Sequence, residues 1–247
     1  MRIIALGTGG WMPTVKHETA CYICLTDDVL YMFDCGSGVK KLFNSKYTTI
    51  LESYEKIVIV FSHYHLDHLL GLFYIHKLLF TLTDKRIVLV GPENEHYKGG
   101  IKKQIDCLNK QGIMNINLRE NISFVGYTDG SRIDLFGHVL SFKEQKHSNP
   151  SYRAVLDSLF VYATDTSEID NDIPENAFLL HECWDNSFNN INHTTFPMIQ
   201  DLSVCRPDLR IGLVHFNPFF SDDCLRDYIE MCDNNVFIVD DENEYYL

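Results

Sequence analysis

The chain has 247 residues, 45% of them hydrophobic, enough for a full core and within the size of one larger α/β domain, so a single compact unit over residues 1–247 is expected. The formal net charge of −13, from 21 basic and 34 acidic residues, opposes stable binding of a polyanion such as structured RNA. No apolar run nears the roughly 20 residues of a membrane span, and Met1-Arg2-Ile3-Ile4-Ala5-Leu6 lacks the flanks of an export signal, so a cytoplasmic protein without a membrane partner is expected.

Taken in chain order, short β-rich apolar runs predict strands at Ile3–Leu6, Cys21–Leu25, Leu30–Phe33, Ile57–Phe61, Ile87–Val90, Val139–Phe142, Leu159–Ala163, Ala177–Leu180, Ile211–Val214 and Val236–Val239. Helix-length segments between them fall at Val39–Leu51, Leu69–Phe80, Glu95–Lys110, Thr194–Arg206 and Asp222–Cys232. Many strands with interspersed helices imply a layered α/β body. No internal repeat or low-complexity linker interrupts it. Lys98, Lys102, Lys103 and Lys110 have helical spacing and read as one solvated face.

The eight cysteines are scattered, which suits reduced core thiols better than a disulfide framework. Cys21 and Cys24 sit three apart in a predicted strand, so their side chains point to opposite faces. No second pair completes a zinc clip with them.

Polar chemistry collects just past strand ends, at Asp34, His63 to His68, His147, Asp165, Glu182 and His215. Such positions bring side chains from distant segments to one cleft. The densest is Ser62-His63-Tyr64-His65-Leu66-Asp67-His68. Chance produces an H-x-H-x-D-H string in a chain of this composition roughly 2 times in 1,000, so it is read as a metal motif. On an extended segment His63 and His65 share a face, and Asp67 and His68 follow where the chain turns into a helix. Two pairs of donors can therefore serve two neighbouring metals. Imidazole and carboxylate donors suit zinc, with manganese, iron or cobalt as alternatives that the absence of cysteine leaves open. Three further donors are needed, and His147, Asp165 and His215 each close a predicted strand.

With these motifs in place the chain resembles the metallo-β-lactamase superfamily, in particular its ribonuclease Z-like phosphodiesterase branch. The resemblance runs from Leu6-Gly7-Thr8-Gly9-Gly10 and Pro13-Thr14 through Phe33-Asp34-Cys35-Gly36-Ser37-Gly38, His63 to His68, His147 and Asp165 to His215-Phe216-Asn217-Pro218. His181-Glu182 and His193-Thr194-Thr195 resemble two further elements of that branch. The resemblance implies an α/β fold, a four-layer αββα sandwich. It also implies two divalent metal ions, zinc or manganese: one held by His63, His65 and His147, the other by Asp67, His68 and His215, with Asp165 bridging. Asp67 would also orient or deprotonate the attacking water, His193 would protonate the leaving oxygen, and Glu182 would hold that imidazole charged. Asp34 would fix the orientation of a ligand histidine.

Ribonuclease Z proper carries a tRNA-clamping insertion between the motifs of His147 and Asp165, which here lie only 18 positions apart. Armless members of the branch include cyclic-phosphate phosphodiesterases and the phage and bacterial anti-Pycsar enzymes, which the chain resembles in length and layout. A small phosphodiester, a 3′,5′-cyclic nucleotide, is therefore the expected substrate, handled by a homodimer in the cytoplasm of a bacterium or of a phage-infected host. The alternative is a tRNA 3′-processing endonuclease. A metal-binding regulator without turnover is disfavoured by the complete donor set and by His193. Outside the motifs, His76, His96 and His138 read as packing or solvent residues. His17 could face the cleft, and Tyr64, Tyr152, Trp184, Phe219 and Phe220 lie near motif residues, where one or two could stack a base.

Overall fold

The computed structural model describes residues 1–82, 84–113, 116, 121–187, 190–221, 223–231 and 235–247. The first half of the chain supplies β1 (Arg2–Gly7), β2 (Cys21–Leu25), β3 (Val29–Phe33), β4 (Lys56–Val60), β5 (Arg86–Pro92) and β6 (Ile122–Tyr127). The second half supplies β7 (Arg132–Leu135), β8 (His138–Gln145), β9 (Ser151–Leu156), β10 (Phe160–Ala163), β11 (Phe178–Glu182), β12 (Arg210–Val214) and β13 (Val236–Ile238). A last strand, β14 (Glu244–Tyr246), returns to pair antiparallel with β1, where Arg2 meets Glu244 at 2.7 Å.

Two seven-stranded sheets result, ordered β14-β1-β2-β3-β4-β5-β6 and β13-β12-β11-β10-β9-β8-β7. Each is antiparallel at one end and parallel at the other: β3 to β6 run parallel to one another, as do β10 to β13. The helices are α1 (Ser45–Ser53), α2 (Leu66–Leu69), α3 (Gly71–Thr81), α4 (Gly100–Lys110), α5 (Phe196–Cys205) and α6 (Asp223–Met231). Among the described residues no helix is long and apolar enough to cross a membrane.

Strand alternation sorts the core into three slabs. In β4, Ile57 and Ile59 pack with Leu51, Leu72 and Ile101 beneath the first set of helices, while Val58 and Val60 face Phe160, Tyr162 and Leu180 of the other sheet. Val161, Leu179 and Ile211 pack on Ile199, Leu202 and Leu225 beneath the second set. The order helix, sheet, sheet, helix is the expected αββα sandwich. Burial on both faces explains why the central strands read as unbroken apolar runs. Cys21 and Cys24 obey the same alternation and fall in different slabs, as their spacing predicts.

The predicted helix Val39–Leu51 is instead a 3₁₀ turn, Ser37–Phe43, followed by α1, because Asn44 is extended and its side chain accepts from the Lys46 N–H as a cap. The predicted Leu69–Phe80 is also two pieces. They meet at Gly71, where a Cβ would lie 2.4 Å from the Gly36 carbonyl oxygen. The helix expected from Glu95 starts at Gly100. Of the predicted Asp222–Cys232, both end residues lie outside the described residues. Strands β6, β7, β9 and β14 have no counterpart in the sequence reading. β7 is a polar edge hairpin strand, and β9 carries Arg153, buried against Asp170 at 3.0 Å.

Candidate metal centre

The parallel strands of both sheets end at one cleft, and the residues just past those ends are bent inward. Asp34 after β3, Asp165 after β10 and His215 after β12 all have left-handed backbones, with φ of 55°, 55° and 58°. Non-glycine residues rarely hold this conformation, and it concentrates at functional sites. After β4 the chain bends at Ser62 and is extended at His65, then α2 carries Asp67 and His68 on its first turn.

Two donor clusters form. The ligating atoms of His63, His65, His147 and Asp165 all lie within 4.8 Å of one another, as do those of Asp67, His68 and His215. His63 Nε2 is 2.9 Å from His65 Nδ1, and His147 Nε2 is 3.4 Å from Asp165 Oδ1. On the other side, His68 Nε2 lies 2.9 Å and His215 Nε2 3.2 Å from Asp165 Oδ2. The two oxygens of Asp165 thus face different clusters. Asp67 Oδ2 sits 3.3 Å from His68 Nε2 and 3.5 Å from His215 Nε2. His193 is also within ligating distance of Asp165 and His215.

The donors fit metal ions. Among the described residues, the buried atoms His68 Nε2, His147 Nε2, Asp165 Oδ2 and His215 Nε2 have no hydrogen-bond partner. Buried polar atoms are rarely left so, and a cation would satisfy all four. The set is nitrogen and oxygen without sulfur, which suits zinc or manganese.

The outer partners are equally defined. Asp34, fully buried, accepts from the Ser62 N–H at 2.8 Å and Ser62 Oγ at 2.7 Å. It also accepts from Tyr162 OH at 2.7 Å and His68 Nδ1 at 2.6 Å, fixing that ring with Nε2 inward. Asn149 Nδ2 donates to His65 Nε2 at 2.6 Å. The Trp11 N–H donates to Asp67 Oδ2 at 2.9 Å from another left-handed residue, φ 60°. Glu182, also fully buried, accepts from His193 Nδ1 at 2.8 Å and from the Thr166 N–H.

Electrostatics separate the histidines. Burial holds His63 well below its usual range and lowers His65 too. Burial also opposes charge on His68 and His215, but the carboxylates outweigh it: Asp67, Asp34 and Asp165 raise His68 well above its ordinary value, and Asp165, Asp67 and Glu182 bring His215 to about 10. Burial pushes Glu182 upward, yet the hydrogen bonds from His193 and His215 prevail and keep it below the usual carboxylate range. The field in this half of the cleft favours a cation, whether a proton or a metal.

All the residues predicted for the site come together: the seven donors, Glu182, His193 and Asp34. A cavity of about 250 Å³ is lined by His65, Asp67, His147, Asp165, His193 and His215 of these, together with Trp11, Ser148, Trp184 and Asn192. His181, next to Glu182, is turned away and contacts the Glu182 carbonyl oxygen. His17 is buried, 2.8 Å from Thr8 Oγ1, and lines a neighbouring cavity with Phe219 and Phe220. Tyr64 and Tyr152 pack elsewhere, and His76, His96 and His138 stay outside the metal cleft. Ser62, Tyr162, Asn149 and Trp11 have no motif that marks them.

Two stacked mixed sheets with helices outside and a histidine–aspartate cluster at their parallel ends define the metallo-β-lactamase fold. YhfI of Bacillus subtilis, a metallo-β-lactamase fold protein, matches with a TM-score of 0.79 at 19% identity, over 99% of this chain and 98% of that one. Human tRNase Z, short form, matches at 0.68 and 18%, over 100% and 99%. In sequence, ribonuclease Z of Methanosarcina mazei is 29% identical over 152 residues, 61% of this chain and 46% of that protein. The chain thus spans about half the length of that curated relative. The family model described as Anti-Pycsar protein Apyc1 matches residues 1–230, and the chain belongs to that family.

Proposed function

We propose that this protein is a two-metal phosphodiesterase that opens a 3′,5′-cyclic nucleotide to the nucleoside monophosphate, degrading a signal in the manner the family name suggests. The observation that carries the reading is Asp165, whose oxygens face two separate histidine clusters, beside a His193–Glu182 pair on the same cleft. In this reading His63, His65 and His147 would hold one ion and Asp67, His68 and His215 the other, with Asp165 placed to serve both. Divalent ions bound there, zinc or manganese, would supply a lowered water pKa and neutralisation of phosphoryl oxygens. Asp67 orients the attacking water and accepts its proton. The bond from phosphorus to a ribose oxygen breaks as His193 Nε2 gives a proton to that oxygen, while Glu182 holds Nδ1.

Family membership and the 18-residue spacing between His147 and Asp165 support a small substrate, as does a surface of net charge −13. The similarity to ribonuclease Z supports a second reading, tRNA 3′-end cleavage. The cyclic-nucleotide reading takes the working form as a homodimer, which sedimentation would check. The deciding experiment is turnover by purified, metal-analysed protein on a panel of 3′,5′-cyclic nucleotides, bis(p-nitrophenyl) phosphate and pre-tRNA, at two ionic strengths. Cyclic nucleotides should be cleaved much faster than pre-tRNA, with kcat/KM little changed by salt because few phosphates are contacted. Efficient pre-tRNA processing, falling steeply with salt and without opening of any cyclic nucleotide, would overturn the choice.

A further inference from the structure

The Trp184 indole lies 4.1 Å from the His193 imidazole, centroid to centroid, and within 9° of parallel. It also leans on His215 at 5.7 Å. Its backbone is tied on both sides: the Trp184 N–H donates to the Thr194 carbonyl at 2.9 Å, and the Asn217 N–H donates to the Trp184 carbonyl at 3.0 Å. The indole is therefore fixed between the segment that carries His193 and the one that carries His215.

A single hydrogen bond, from His193 Nδ1 to Glu182, fixes one point of the ring but leaves it able to swing about that bond. A flat surface against one face removes that freedom. We propose that Trp184 is a positioning residue that fixes the plane of His193 and keeps Nε2 aimed at the leaving oxygen; the inference rests on the proton-donor role assigned to His193 above.

The test is a double-mutant cycle in the metal-loaded protein. It uses whichever of cyclic mononucleotide or pre-tRNA the wild type cleaves, since both expel a ribose oxygen, alongside bis(p-nitrophenyl) phosphate, whose leaving group departs without a proton. Trp184→Leu should lower kcat about tenfold on the ribose substrate through lost alignment and leave p-nitrophenyl turnover within about twofold of wild type. Trp184→Phe, which keeps a stacking face, should recover most of the loss. In a His193→Ala background Trp184→Leu should have no further effect. Equal losses on both substrates, a further loss without His193, or a change confined to KM would overturn the proposal. His193→Ala losing equally on both substrates would instead defeat the proton-donor role on which it rests. The contact has its own readout, because the chain has two tryptophans. In a Trp11→Phe background the remaining emission, from Trp184, should change on His193→Ala in metal-free protein. Unchanged emission would show that the stack does not exist in solution.

Discussion

Asp34→Asn removes one charge and almost no volume, and it isolates what the carboxylate does. Asparagine tolerates the left-handed backbone at this position, where φ is 55°, so no new backbone strain enters. Asp34 Oδ2 accepts three hydrogen bonds, from Ser62 Oγ, Tyr162 OH and His68 Nδ1, while Oδ1 accepts the Ser62 N–H. With the amide oxygen in the Oδ2 position, three charge-assisted bonds become neutral, roughly 1 kcal/mol each, or about 3 kcal/mol in all. The amide nitrogen then opposes the Ser62 N–H, so the metal-free protein should unfold at lower urea by at least that amount. Loosening His68 should also weaken the metal it serves by about 10–100-fold, the usual effect of losing an outer partner of a ligand histidine. Urea titration of chelated protein reads the first effect, and competition with a chromophoric chelator reads the second. An Asp34→Asn protein with wild-type midpoint and wild-type affinity for both ions would refute the assignment of Asp34 as the residue that orients His68.

Three further outcomes are expected. Purified protein should carry about two divalent ions per chain, and His65→Ala should lose the ion of the His63 cluster together with turnover; full activity in metal-free protein would defeat the two-metal reading. Gly10→Ala should release the ion held by His215, because the new Cβ would sit 2.7–2.9 Å from atoms of that ring; overpacking of this kind costs about 1–3 kcal/mol, and unchanged metal content would contradict it. Asp241→Asn should destabilise by roughly 2 kcal/mol at pH 7, since Asp241 accepts from Thr8, Glu18 and Lys41 at 2.7–2.9 Å. Burial raises the Asp241 pKa but these bonds and His17 prevail and lower it, so its contribution is present above about pH 4 and is lost as pH falls through the depressed folded value. A wild-type advantage that grew on acidification would have the wrong sign.

The residues that cluster at the cleft were legible because their chemistry is independent of context: His63 to His68 is improbable as a chance string, and His147, Asp165 and His215 share its placement past apolar strands. Central strands such as β4 were legible because both their faces are buried. β7 was not, because an edge strand with every second residue exposed has no apolar run to show. The outer partners were hidden for a different reason. Tyr162 reaches Asp34 across 128 positions, and Asn149 reaches His65 across 84, through topology that no local pattern encodes. The Trp11 backbone contact with Asp67 depends on a left-handed turn at a residue type that does not advertise one.

The division of strands between the halves of the chain bears on how the centre is assembled. β1 to β6 and β7 to β13 each come from a contiguous stretch, so all of the second sheet, and all of the first except the β1–β14 pair, can form from pairings within one half of the chain. Neither stretch carries a whole ligand set: His63, His65, Asp67 and His68 come from the first, His147, Asp165 and His215 from the second. Each ion would draw on both in the proposed assignment, and so would act as a rivet between the two halves, beside the β1–β14 pair. The chain could then be nicked at the turn between β6 and β7, with metal uptake reporting the reunion of fragments that are each inert alone.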